Sequence, residues 1–115
     1  MAQPDKLAVV WTSGDRDVAI KMVMMYTHNA KIQKWWKDVM LIVWGHSAKL
    51  LSVDVEVGNY VGKMLKDGVE VVACKACADS YGVSDVLEKM GVEVKYMGQP
   101  LTEYLKDDSY RVITF

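Results

Sequence analysis

Residues 39–45, Val-Met-Leu-Ile-Val-Trp-Gly, form a continuous apolar run of strand length closed by a glycine. A strand with apolar side chains on both faces must be covered on both, the pattern of a central strand in a parallel sheet. Parallel neighbours need long crossover connections, usually helices. This one run therefore asks for further strands separated by helices.

The rest of the chain supplies them. Leu7 to Thr12 is a short β-rich run closed by the turn Ser13-Gly14-Asp15. From about Asp17 to Ile32 the spacing predicts a helix with Ala19, Ile20, Val23, Thr27 and Ala30 on one face. Met22, Met24, Met25 and Tyr26 make that helix apolar nearly all round, so it needs cover on two sides. Ser47 to Asp67 reads as one helix capped by Gly68, although Val53, Val55 and Val57 also alternate like a strand. Val69 to Ala73 is a third strand ending at Cys74, followed by a short helix to Tyr81 that Gly82 breaks. Ser84 and Asp85 cap a second short helix ending at Gly91. Val92 to Met97 is a fourth strand, Pro100 opens a last helix to about Asp107, and Tyr110 to Phe115 is a fifth strand. Gly-Val-Glu-Val recurs at 68 and 91 as a reused helix-to-strand junction, too short for a repeat. The order predicts a three-layer α/β/α sandwich with a mainly parallel five-stranded sheet. Sites in such sheets lie beyond the carboxyl ends of the strands.

With 115 residues the expectation is a single domain, 1–115, large enough to bury a core without staples. Fourteen basic against fifteen acidic residues argue against broad, sequence-independent nucleic-acid binding, which needs a basic surface. No apolar run approaches the ~20 residues of a membrane span. The opening MAQPDKLAVV lacks a charged segment followed by a long apolar one, and there are only two cysteines. Together these set the expectation of a cytoplasmic protein with no membrane association and no disulfide framework.

Those two cysteines, Cys74 and Cys77, form Cys-Lys-Ala-Cys at the junction of the third strand and its helix. Unpaired backbone N–H groups and the positive end of a helix dipole stabilise a thiolate there, and Lys75 adds a cation. A lowered thiol pKa would suit attack on disulfides or acceptance of sulfane sulfur. Against this stands the plain reading of two buried, inert thiols at a strand end flanked by Val71, Val72 and Ala73. A structural zinc wants four ligands, and only His28 and His46 remain, far apart in sequence, so no metal and no cofactor is expected. A thioredoxin-like protein also has Cys-x-x-Cys at such a junction. Here Ala73 precedes the first cysteine, and Pro100 is the only later proline.

Several other residues bear on chemistry. His46 follows Gly45 at the carboxyl end of the second strand and is a candidate partner for the thiolate, or else a capping or surface histidine. His28, late in the first helix, is most simply a favourable C-terminal charge. Ser13-Gly14 has no phosphate-loop spacing and reads as a turn. Lys34-Trp35-Trp36-Lys37 interleaves aromatics and cations as single-stranded nucleic-acid surfaces do, but it falls on the opposite rim from Cys74 and suits packing or a subunit interface.

Gly68 to Val83, GVEVVACKACADSYGV, resembles the DsrE family, also described as having a YchN-like or DsrE/DsrF-like fold. The matching features are a Gly-Val-x-Val strand ending in cysteine and a Gly-hydrophobic pair, Gly82-Val83, eight residues after Cys74. The short first strand, the apolar second strand ending in Trp44-Gly45 and the closing segment from Tyr96-Met97 to Thr114-Phe115 agree in outline. The resemblance implies a DsrE/YchN-like domain that assembles as a homotrimer or homohexamer. It also implies a sulfur-relay role in which Cys74 carries a persulfide between sulfur donor and acceptor proteins, with Cys77 as a resolving or auxiliary thiol.

Three functions from different classes follow. One is a sulfurtransferase-like sulfur carrier using Cys74, with Cys77, His46 and Lys75 as auxiliaries. Another is a dithiol–disulfide redox protein using Cys74 and Cys77. The last is an oligomeric module that binds a small ligand or regulates, with inert thiols. In every case the first helix is expected to bury its spare apolar face between subunits.

Overall fold

The computed structural model describes residues 3–115. Five strands run in the order β1 (Lys6–Trp11), β2 (Asp38–Val43), β3 (Glu70–Cys74), β4 (Glu93–Lys95) and β5 (Tyr110–Thr114). Across the sheet they lie β4-β3-β2-β1-β5, and every neighbouring pair is parallel. β1 and β2 are buried from their second residue onward, as their unbroken apolar runs require.

The connections explain the layers. The steps from β1 to β4 all move in one direction, and right-handed crossovers then put their helices on one face. These are α1 (Arg16–Val18), a π-helical stretch (Ala19–Met24), α2 (Met25–Ile32), α3 (Ser47–Val53), α4 (Val55–Lys66), α5 (Lys75–Tyr81) and α6 (Ser84–Lys89). They bury Leu7, Val9, Trp11, Leu41, Val43, Val71 and Ala73 beneath Val23, Met24, Leu51, Val61, Met64 and Leu87. Each Val, Leu or Met side chain among them taken fully out of water contributes about 1.5–3 kcal/mol. The last step crosses back to β5 and carries α7 (Gly98–Lys106) onto the opposite face. There the core is smaller: Ala8, Val10, Met40, Ile42, Val72, Cys74 and Met97, with Leu101, Tyr104 and Tyr110 at its margin. Tyr104 of α7 stacks on Tyr110 of β5 at 4.7 Å, which anchors the lone helix.

Three local readings are corrected. Residues 47–67 are two helices, because Asp54 adopts an extended backbone and its carboxylate accepts the Val57 N–H, ending α3 and capping α4. Val83, not Ser84 or Asp85, takes the cap position of α6, and the Ser84 hydroxyl donates instead to Asp79. The fourth strand is shorter than 92–97, since Tyr96 and Met97 turn out of the sheet toward α7. The first helix is continuous over 16–32, opened by the Asp15 carboxylate on the Val18 N–H, and its centre is π-helical.

Candidate functional site

The two faces of the sheet exchange roles at one point. β3 leaves toward the six-helix face through α5, whereas β4 leaves toward the α7 face, so the strand exits diverge between their carboxyl ends, the topological switch point of the sheet. Cys74 and Lys95 are register partners at this switch point. Side chains alternate along β3, which sends Val71 and Ala73 into the large core and Val72 and Cys74 to the α7 face. Cys74 is buried, 5% exposed, and both cysteines are free thiols.

Cys77 lies in the first turn of α5, yet it packs against the same small cluster as Cys74. Cys74 itself holds the cap position of α5, so the two thiols share the opening turn of one helix. Gly45 takes a left-handed backbone, φ 68°, just past the end of β2. Burial pushes the Cys77 thiol above its ordinary value and the neighbouring Cys74 pushes the same way, while the Gly45 N–H opposes. The lowered thiol expected at this junction is therefore not what Cys77 has. Half-burial outweighs one N–H.

The auxiliary residues are otherwise engaged. The Lys75 ammonium pairs with Asp79 at 2.9 Å and lies 5.8 Å from the centre of the Tyr96 ring. The hydrogen bond and charge of Asp79 hold the lysine above its usual range, and Ser84 and Lys75 hold Asp79 below the carboxylate range. His46 is on the same rim, as its place after β2 predicts, but its ring stacks on Tyr81 at 5.9 Å and lies against Gly14. It occupies the cap position of α3 without a side-chain capping bond. His28 reaches Asp67 at 2.6 Å and meets Tyr60 edge-on, so it ties α2 to the end of α4. Among the described residues, no three His, Cys, Asp or Glu gather as a metal set, and no helix is long and apolar enough to cross a membrane.

Residues that sequence reasoning did not assign to the site are Gly45, Tyr81, Tyr96 and Met97. Met97 is fully buried beside Cys74, and Tyr96 is the exposed lip above Lys75. Only the glycine after an apolar strand carried a signal; the others arrive through chain crossing. Far from the thiols, Trp36 donates its indole N–H to Tyr26, and Trp35 is exposed beside the same tyrosine, on the opposite rim as expected. Met22, Met25, Tyr26, Trp35, Ile113 and Phe115 line an apolar groove of about 440 Å³.

An all-parallel sheet of order 4-3-2-1-5 with two free thiols at its switch point defines a small thiol-bearing α/β protein. Residues 19–115 match the DsrE/DsrF-like family, and the chain belongs to it. It is 38% identical to the conserved protein of unknown function BT1422 from Bacteroides thetaiotaomicron, with a TM-score of 0.92 over 96% of this chain and 95% of that one. The fold is shared with the protein of unknown function MTH1491 from Methanobacterium thermoautotrophicum, at 16% identity and a TM-score of 0.78 over 96% and 98% of the two chains. It is also shared with the ychN protein from E. coli, at 17% identity and a TM-score of 0.76 over 99% and 100%. A search of curated proteins found no match. The family and the YchN-like fold expected from residues 68–83 are thus both established. Membership suggests a role related to sulfur relay.

Proposed function

We propose that the chain, acting as one domain, carries sulfane sulfur as a persulfide on Cys74. The observation that carries this reading is the position of Cys74 at the switch point where the exits of β3 and β4 diverge, in a family tied to sulfur relay. In the loading step the Cys74 thiolate attacks the outer sulfur of a donor persulfide. The donor's S–S bond breaks, the donor leaves as a thiolate, and Cys74 gains one sulfur atom. An acceptor thiolate repeats the attack on that terminal sulfur and regenerates Cys74. The apolar walls formed by Ile42, Val72 and Met97 keep the inner sulfur dry between the two steps. The committed contacts of His46 and Lys75 leave both as residues that shape the rim.

The test is intact mass after incubation of the reduced protein with a cysteine desulfurase and cysteine. A reductant-sensitive gain of one sulfur atom in wild type and Cys77→Ser, absent in Cys74→Ser, is the expected result. No gain in any of the three would remove the reading. The placement of Cys74 and Cys77 at the opening turn of one helix, against one apolar cluster, favours a second one, a dithiol–disulfide protein. A redox titration without a reversible Cys74–Cys77 bond would eliminate it.

Assembly as a homotrimer or homohexamer belongs to the same proposal. The half-exposed Met22 and Met25, with Trp35 and the groove beside them, supply the apolar face such an assembly would cover. A stable monomer in sedimentation at low micromolar concentration would refute it.

A further inference from the structure

Cys77 has a neighbour arrangement that simple carriage of sulfur on Cys74 does not need. It follows Cys74, the cap residue of α5, by three residues in the first turn of that helix, packs against the same small cluster and is less buried than its partner. We propose that Cys77 discharges the Cys74 persulfide within the chain, releasing hydrosulfide and closing a Cys74–Cys77 disulfide. The inference rests on the persulfide reading above and extends it: it gives the bound sulfur an exit that needs no acceptor protein.

The step balances without an external reagent. The Cys77 sulfur attacks the inner sulfur, Cys74 Sγ. The bond from Sγ to the terminal sulfur breaks, and the terminal sulfur leaves with the electron pair as HS⁻. The terminal sulfur of an ionised persulfide must gain a proton to leave as HS⁻. The Cys77 thiol supplies that proton, and burial keeps it bound until the attack. Charge is then conserved, one negative charge entering on the persulfide and one departing on hydrosulfide. The two cysteines are oxidised to the disulfide and the sulfane sulfur is reduced. As Cys77 gives up its proton, the Gly45 N–H stabilises the charge developing on its sulfur. A further turnover requires a dithiol reductant to reopen the disulfide.

The arrangement is tested with purified, reduced wild type, Cys74→Ser and Cys77→Ser, each treated briefly with inorganic polysulfide, desalted and followed by intact mass and sulfide assay. Cys77→Ser should hold one added sulfur atom. Wild type should lose it at least about tenfold faster, end two hydrogens lighter than the reduced chain, and release one equivalent of sulfide. Far-UV circular dichroism of Cys77→Ser should overlay wild type, because the site is only half-buried. Wild type that keeps its added sulfur as long as Cys77→Ser overturns the discharge step and leaves persulfide carriage standing. Wild type that loses the sulfur without forming the disulfide does the same. Failure of Cys77→Ser to load overturns both.

Discussion

The imidazole of His46 lies directly over the bare Cα of Gly14, so close that a Cβ there would fall 2.9 Å from both Cγ and Cε1 of the ring. The turn after β1 and the turn after β2 are therefore matched across the rim that also carries the thiols. A glycine that reads in sequence as an ordinary turn residue is in fact making room for a histidine from another loop.

Gly14→Ala should push His46 off Tyr81. Because the ring is at the surface and can swing, the cost should be only about 1 kcal/mol. Urea denaturation of Gly14→Ala, His46→Ala and the double variant checks this. The alanine should cost almost nothing once His46 is removed, a coupling that independent sites would not produce.

Asp54 both ends α3 and caps α4, and it pairs with Arg16 at 2.9 Å. The Val57 N–H, followed by Arg16, holds its carboxyl below the usual aspartate range. A depressed acid contributes stability above its unfolded value of about 3.9 and loses it as pH falls through the lower folded value. Asp54→Asn should therefore melt below wild type at pH 7, and the gap should narrow as the pH drops below about 4.

Thr27 is fully buried on α2, and its hydroxyl has no hydrogen-bond partner among the described residues. Thr27→Val keeps the shape and removes the orphaned polar group. It should raise stability by about 1 kcal/mol, read as a higher urea midpoint with an unchanged slope. A lower midpoint would mean that the hydroxyl is satisfied in solution.

Alkylation should separate the thiols, since cleavage after Lys75 puts them on different peptides. With its thiol held above the ordinary value of about 8.5, Cys77 should react slowly at pH 7 and faster with each step in pH, without levelling off until past that value. A rate already at its plateau at pH 7 would show a thiolate and contradict the effect of burial.

Much of the architecture was legible because it depends on local pattern. The apolar runs at Leu7–Thr12, Val39–Gly45 and Val69–Ala73 form β1, β2 and β3, and the glycines at 68, 82 and 91 end helices with positive φ. The break at Asp54 was hidden because the flanking valines fit a helical period, and only the capping contact to Val57 reveals that the backbone leaves the helix. The length of β4 was overestimated for a similar reason. Tyr96 and Met97 have strand propensity, but Met97 is drawn out of the sheet to cover Cys74.

The sequence by itself determined that this is a parallel α/β chain with a two-cysteine segment at the end of a strand, since hydrophobic period and glycine punctuation act over a few residues. Tertiary structure alone decided the strand order, and with it the meeting of Cys74 with Met97. Those partners come from separate strand exits. They are brought together by the single crossing from β4 back to β5, a choice set by how α7 can cover the second face and invisible to any local pattern.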